Sequence, residues 1–126
     1  MCLFLDMVFN WRWKVHDFWA SRAAELGVYS SRRMPQFLAL VALALTVTIT
    51  GALVRRRFRR RVGVAVAVIG TLFSIALWWC EAISFHYMDA ILYHMIGNVM
   101  LVGLVWVSLA AITCFGVWLD GRSDAG

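Results

Sequence analysis

Four side chains able to hold protons or metal ions crowd one stretch of an otherwise apolar chain. They are Glu81, His86, Asp89 and His94, within CEAISFHYMDAILYH, Cys80 to His94. Carboxylates and imidazoles are suitable metal ligands. Their steps of five, three and five residues scatter them over roughly 220° of one continuous helix. They converge only where the chain turns between Phe85 and Ile91, which makes His86 and Asp89 the best-placed pair. No CxxC occurs among the three cysteines, Cys2, Cys80 and Cys114, and no metal site is expected.

Two other chemistries fit these residue types. Haem or a chlorophyll-type pigment would use His86 or His94; bis-histidine ligation needs a partner from another element, and His16 is the third histidine. Ala90 to His94 also has the AxxxH spacing found in light-harvesting polypeptides. Proton or quinone chemistry would use Glu81 with His86 and Asp89, because a carboxylate near lipid is costly to ionise and an imidazole can exchange protons with it. Against these stands a structural role. Glu81 and Asp89 would cap or pair across the turn with His86, Ser84, Arg32 or Arg33. Trp78, Trp79, Tyr87 and Tyr93 would form an aromatic belt at the membrane surface. Nothing in the sequence marks a nucleophilic enzyme: GxSxG and a phosphate-cradling glycine loop are both absent. The expectation is a non-enzymatic protein.

The elements that must hold these residues are apolar. Of 126 residues, 63% are hydrophobic, with a mean hydropathy of +0.77 and one proline. A soluble domain of this size cannot hide that much apolar surface, so lipid is the expected solvent. The expected fold is all-α integral membrane. Three transmembrane helices, at about 37–54, 62–83 and 96–119, make a domain of residues 30–126. An amphipathic interfacial helix over 1–29 precedes them. The start lacks the basic n-region and cleavage site of a signal peptide. In the N-terminal helix, Leu3, Phe4, Met7, Val8, Trp11, Val15, Phe18 and Trp19 follow one helical face, while Asp6, Asn10, Lys14, Asp17 and Ser21 take the other. Such a helix lies in the interface with its tryptophans at headgroup depth. Gly27 is its expected stop, and Ser30 to Pro35 reads as a linker.

Two small-residue stripes suggest how the spans meet. Ala42, Thr46 and Thr50 repeat every four residues in the first span, and Gly63, Ala67, Gly70 and Ser74 alternate steps of four and three in the second. Small residues let helices approach closely in lipid, so the two stripes are expected to pair. Glu81 lies seven residues past Ser74, which points it toward a helix interface. In the last span Gly97, Gly103, Ala110 and Ala111 supply small residues. Cys80 and Cys114 fall near opposite faces, too far apart for a disulfide.

The net charge of +5 does not indicate nucleic acid. Half of the twelve basic residues, Arg55, Arg56, Arg57, Arg59, Arg60 and Arg61, form one loop between two apolar runs. Translocating that loop would be very unfavourable, so it is assigned to the cytoplasm. The N-terminus and the acid–histidine turn then lie outside and the C-terminus inside, in a bacterial inner membrane.

The segment EAISFHYMDAILYHMIGNVMLVGLVW resembles small bacterial multi-span membrane proteins that carry an E-x-I-S-F-H-x-x-D turn between their last two spans. Glu81, Ile83, Ser84, Phe85, His86, Met88, Asp89, Ile91, Leu92 and the later Gly97 carry the likeness, which covers roughly residues 34–111. The N-terminal arm lies outside it. Similar proteins often place a Trp and a Glu in the last span; here Trp106 is present and the acid is not. The resemblance implies three spans and names no activity. The functional expectation is a small accessory subunit of a larger membrane complex, by analogy photosynthetic or respiratory, contacting lipid and other integral subunits. The alternative is a protein handling a cofactor, pigment, proton or quinone through Glu81, His86, Asp89 and His94.

Overall fold

The computed structural model describes residues 9, 11–27, 33–83 and 86–123. In chain order they form α1 (Trp11–Glu25), α2 (Arg33–Arg57), α3 (Val62–Ile83), α4 (His86–Leu92), β1 (Met95–Ile96), β2 (Val99–Met100) and α5 (Leu101–Ser123). Three of these helices, α2, α3 and α5, are long and apolar enough to cross a membrane. At about 1.5 Å per residue, the 22 residues of α3 rise roughly 33 Å, which matches a hydrocarbon core of about 30 Å. Three such helices are compatible with a multi-pass membrane protein, and their apolar surfaces suit contact with lipid.

The antiparallel pair α3 and α5 is the heart of the fold, with α2 and α1 packed on α3. The reason is written in the small residues of α3. A Cβ placed on Gly63 would run into the backbone of Asp120 and Gly116, one on Gly116 into Ala67, and one on Gly70 into the Thr113 hydroxyl at 2.5 Å. The two backbones therefore touch along Gly63, Ala67 and Gly70 on one side and Thr113, Gly116 and Asp120 on the other. Such contact replaces a hydrophobic driving force that lipid cannot supply. The hydroxyls of Ser74 and Thr113 return to their own helices, to the carbonyls of Gly70 at 3.0 Å and Leu109 at 2.8 Å. The seam is thus held by close packing.

This corrects the expected pairing of stripes. The α3 stripe meets α5, while Ala42 and Thr46 of α2 are exposed, with the Thr46 hydroxyl donating to the Ala42 carbonyl at 2.8 Å. The face that α2 shields is Gln36, Leu40, Leu43, Val47, Thr50 and Val54, a heptad-like stripe of mostly larger side chains. No residue of α2 is buried. The smallest residues of α3 fit one neighbour at backbone contact, and α5 offers the matching glycine.

Helix boundaries depart from the apolar runs. Helix α2 begins at Arg33 and continues to Arg57, so part of the expected linker is helical. Pro35 sits in the first turn, where a missing N–H costs nothing. Arg55, Arg56 and Arg57 occupy the last turn, where cations favour the negative end of the helix dipole. Arg59, Arg60 and Arg61 follow in the tight turn into α3, and all six arginines are exposed.

The last span starts at Leu101 rather than near residue 96. Residues 95–100 instead form an antiparallel hairpin, with Met95 opposite Met100 and Ile96 opposite Val99. Gly97 reverses the chain at φ 63°, a backbone region that favours glycine. The expectation of Gly97 as a packing residue of a span is thereby overturned, and the otherwise helical chain carries this one strand pair among the described residues.

At the N-terminal end α1 runs from Trp11, and the expected helical stretch over residues 1–8 and 10 lies outside the described residues. Gly27, at φ 67°, closes α1 by donating its N–H to the Ala24 carbonyl at 3.0 Å. Val15, His16 and Ala20 are half-buried, whereas Trp11, Phe18 and Trp19 are exposed. The aromatic side of α1 therefore faces away from the bundle.

Candidate functional site

The acid–histidine region lies at the end of the bundle opposite the arginine turn. Helix α3 carries Glu81 in its last turn, and α4 starts afresh at His86. Leu92, on α4, packs with Leu77 of α3 and Val102 of α5 to make a small apolar plug. Tyr93 and Trp106 flank that plug. The plug folds α4 back over the ends of α3 and α5, which is how the turn closes around Glu81.

Glu81 is only 4% exposed. Its Oε1 accepts the indole N–H of Trp106 at 2.8 Å, and its Oε2 accepts the Tyr93 hydroxyl at 3.4 Å. The first is a short, charge-assisted bond when the carboxylate is ionised, and the second is long. Burial of a carboxylate is tolerated where donors satisfy it. One carboxylate thus joins α3, the segment after α4, and α5.

The other expected members of the cluster lie on α4 and just after it. His86 and Asp89 both belong to α4, and the His86 side chain lies outside the described part of the chain. Asp89 has its Oδ1 buried, and its carbonyl accepts the Tyr93 N–H at 2.9 Å. His94 follows α4, is exposed, and accepts the Leu101 N–H on its carbonyl at 2.9 Å. Among the described residues no three His, Cys, Asp or Glu side chains gather as metal ligands would. Ser84 and Arg32, suggested as partners for the acids, also lie outside the described residues.

The expected aromatic belt splits into two groups. Trp79 and Tyr87 are exposed, and Trp79 meets Trp78 edge-on with ring centroids 5.1 Å apart. Tyr93 instead turns inward to Glu81. Trp106 and Tyr93 were not expected as partners of Glu81. The signal that could have found Trp106 is register. In an antiparallel pair with Gly63 near Asp120 and Gly70 near Thr113, residues around 102–106 must face Glu81.

Gln36, in the first turn of α2, donates its side-chain N–H to the Ile83 carbonyl at 3.0 Å. It satisfies one of the terminal carbonyls of α3 that have no helical partner. Cys80 and Cys114 are both free thiols.

Chemically, the Glu81 carboxylate fixes the geometry of the turn between α3 and α5 through the Trp106 and Tyr93 donors. No protein family, no curated protein and no solved structure matches the chain.

Proposed function

We propose that this chain is a small accessory subunit of a larger membrane complex, with no catalytic role of its own. The observation that carries the reading is α2. It crosses the bundle edge with no buried residue, and its Ala42–Thr46 side points outward with the hydroxyl already satisfied. On that side the small Ala42 and Thr46 lie among exposed Leu38, Leu45 and Ile49, an apolar surface with a shallow gap into which a neighbouring subunit's helix can pack. The exposed Trp11, Phe18 and Trp19 of α1 add a second apolar surface. An energy-transducing assembly, photosynthetic or respiratory, is the proposed host by analogy, seated in a bacterial inner membrane. The six-arginine turn is taken as cytoplasmic, which leaves the Glu81 end and the N-terminus outside. The likeness to small multi-span proteins with an E-x-I-S-F-H-x-x-D turn belongs to the same proposal. The test is extraction of native membranes in mild detergent. The tagged chain is expected to migrate with larger integral subunits, and a clean monomer without partners rejects the reading.

A second reading has its own observation, the burial of Glu81 between two neutral donors. Here Glu81 works with His86, Asp89 and His94 in handling a proton, quinone, haem or pigment. An absorbance spectrum of the purified protein separates the readings. A Soret or bacteriochlorophyll band that disappears in His86→Ala or His94→Ala supports the second. A colourless protein whose Glu81→Gln variant assembles and functions normally removes it.

A further inference from the structure

We propose that the hairpin of residues 95–100 is a membrane-surface anchor, which sets Met95, Ile96, Val99 and Met100 into the boundary between headgroups and acyl chains. The inference rests on the reading of α2, α3 and α5 as transmembrane helices and is independent of the accessory-subunit role. All four side chains are about half exposed, from 47% at Val99 to 54% at Ile96. Successive residues of a strand point to opposite faces, so side chains on both faces of the hairpin remain partly open. The tip is also clear of the protein, since a Cβ on Gly97 would meet nothing within 4 Å. Between His94 and Leu101 there is no charge, and Asn98 at the tip is the single polar side chain.

Lengths place this surface at the lipid boundary. The apolar part of α5, from residue 101 to residue 119, rises roughly 27 Å, close to a hydrocarbon core of about 30 Å. The hairpin follows at once on the Leu101 end, closed by the Leu101 N–H on the His94 carbonyl at 2.9 Å. Its reach from Leu101 to the tip is about 10 Å. The headgroup layer on one side is about 5 to 8 Å thick. Exposed Trp79 and Tyr87 occupy the same end of the bundle, as aromatic residues do at headgroup depth.

Backbone chemistry chooses the interface over the hydrocarbon. The outer edges of a two-stranded pair leave N–H and C=O groups that only water or headgroups can satisfy. The same shortness disfavours a partner strand, because two-residue strands offer too little edge for pairing. An apolar surface with a polar tip and solvated edges fits a lipid surface.

The test uses single cysteines in the full chain, with Cys2, Cys80 and Cys114 replaced by serine, each labelled with an environment-sensitive fluorophore. The purified protein is reconstituted into phosphatidylcholine–phosphatidylglycerol vesicles. Ile96→Cys reports the hairpin, and Val99→Cys repeats the measurement should the first variant misfold. Val107→Cys, 69% exposed in mid-α5, reports the transmembrane surface, and Arg59→Cys reports an aqueous loop. The hairpin label is expected to be quenched several-fold more by lipids brominated near the headgroup than the Arg59 label, and several-fold less by iodide. A hairpin label that behaves like Arg59, while Val107 is quenched by lipid, overturns the proposal. So does a hairpin label shielded from both quenchers, which indicates a protein cover. A Val107 label that iodide reaches freely would instead overturn the transmembrane reading itself.

Discussion

The Trp106 indole N–H lies 2.8 Å from Glu81 Oε1 and ties the start of α5 to the end of α3. A buried carboxylate stripped of its shortest donor keeps its desolvation penalty and loses part of its compensation. Trp106→Phe is therefore expected to destabilise the fold by about 1–3 kcal/mol. Tyr93→Phe removes a bond of 3.4 Å and should cost less. Denaturation of the protein in mixed micelles with increasing dodecyl sulfate measures both. Equal stability of Trp106→Phe and the wild type would remove Glu81 from its place as the link between the helices.

Close approach makes Gly63 and Gly116 intolerant of side chains. Gly116→Val would push against Ala67, and Gly63→Val against Asp120 and Gly116. Overpacking of this kind typically costs about 1–3 kcal/mol. Gly51→Ala in α2 meets nothing within 4 Å and should be neutral or slightly stabilising. The same micelle titration ranks the three. A ranking in which Gly51 proves the most sensitive would contradict the α3–α5 seam.

The hairpin depends on one backbone angle. Gly97 at φ 63° can be replaced by alanine only with strain of roughly 1–2 kcal/mol. Global stability should change little, since the tip touches nothing. The expected effect is local: the Leu101 amide, bonded to the His94 carbonyl, should exchange its hydrogen faster in Gly97→Ala. Unchanged exchange at Leu101 would mean that the hairpin does not require this turn.

Orientation rests on charge. A membrane-impermeant thiol reagent applied to whole cells should leave an Arg59→Cys variant, otherwise cysteine-free, unlabelled until the membrane is opened. Replacing the other five loop arginines with glutamine should produce a mixture of orientations, because Lys and Arg near span ends set topology. Labelling of Arg59→Cys in intact cells would place the Glu81 end in the cytoplasm.

The arginine run and the apolar runs make the three membrane-length helices legible from residue types alone. Lipid demands a satisfied backbone over about 20 apolar residues, and that requirement is local. The direction of Glu81 toward a helix interface was also legible, because Ser74 and Glu81 are two helical turns apart and share a face. The helix ends were less so. Hydropathy stops at Val54, yet hydrogen bonds carry α2 on to Arg57, since charged side chains suit a helix terminus as well as a loop.

Which helix meets which was decided only in three dimensions. The stripe from Gly63 to Ser74 could have faced α2 or α5, and small residues alone carry no address. The matching gap at Gly116 is what selects α5. That antiparallel register then brings Trp106, 25 residues away in sequence, to Glu81. The residues around Gly97 tell the same story on a smaller scale. An apolar run reads equally as helix or strand, and the chain reverses there because Gly97 takes a positive φ, leaving four apolar side chains outside the bundle. Residue types determined the number of membrane-length helices and the charged turn between two of them. Tertiary packing decided the partners of the buried acid, because those depend on distances that chain order does not encode.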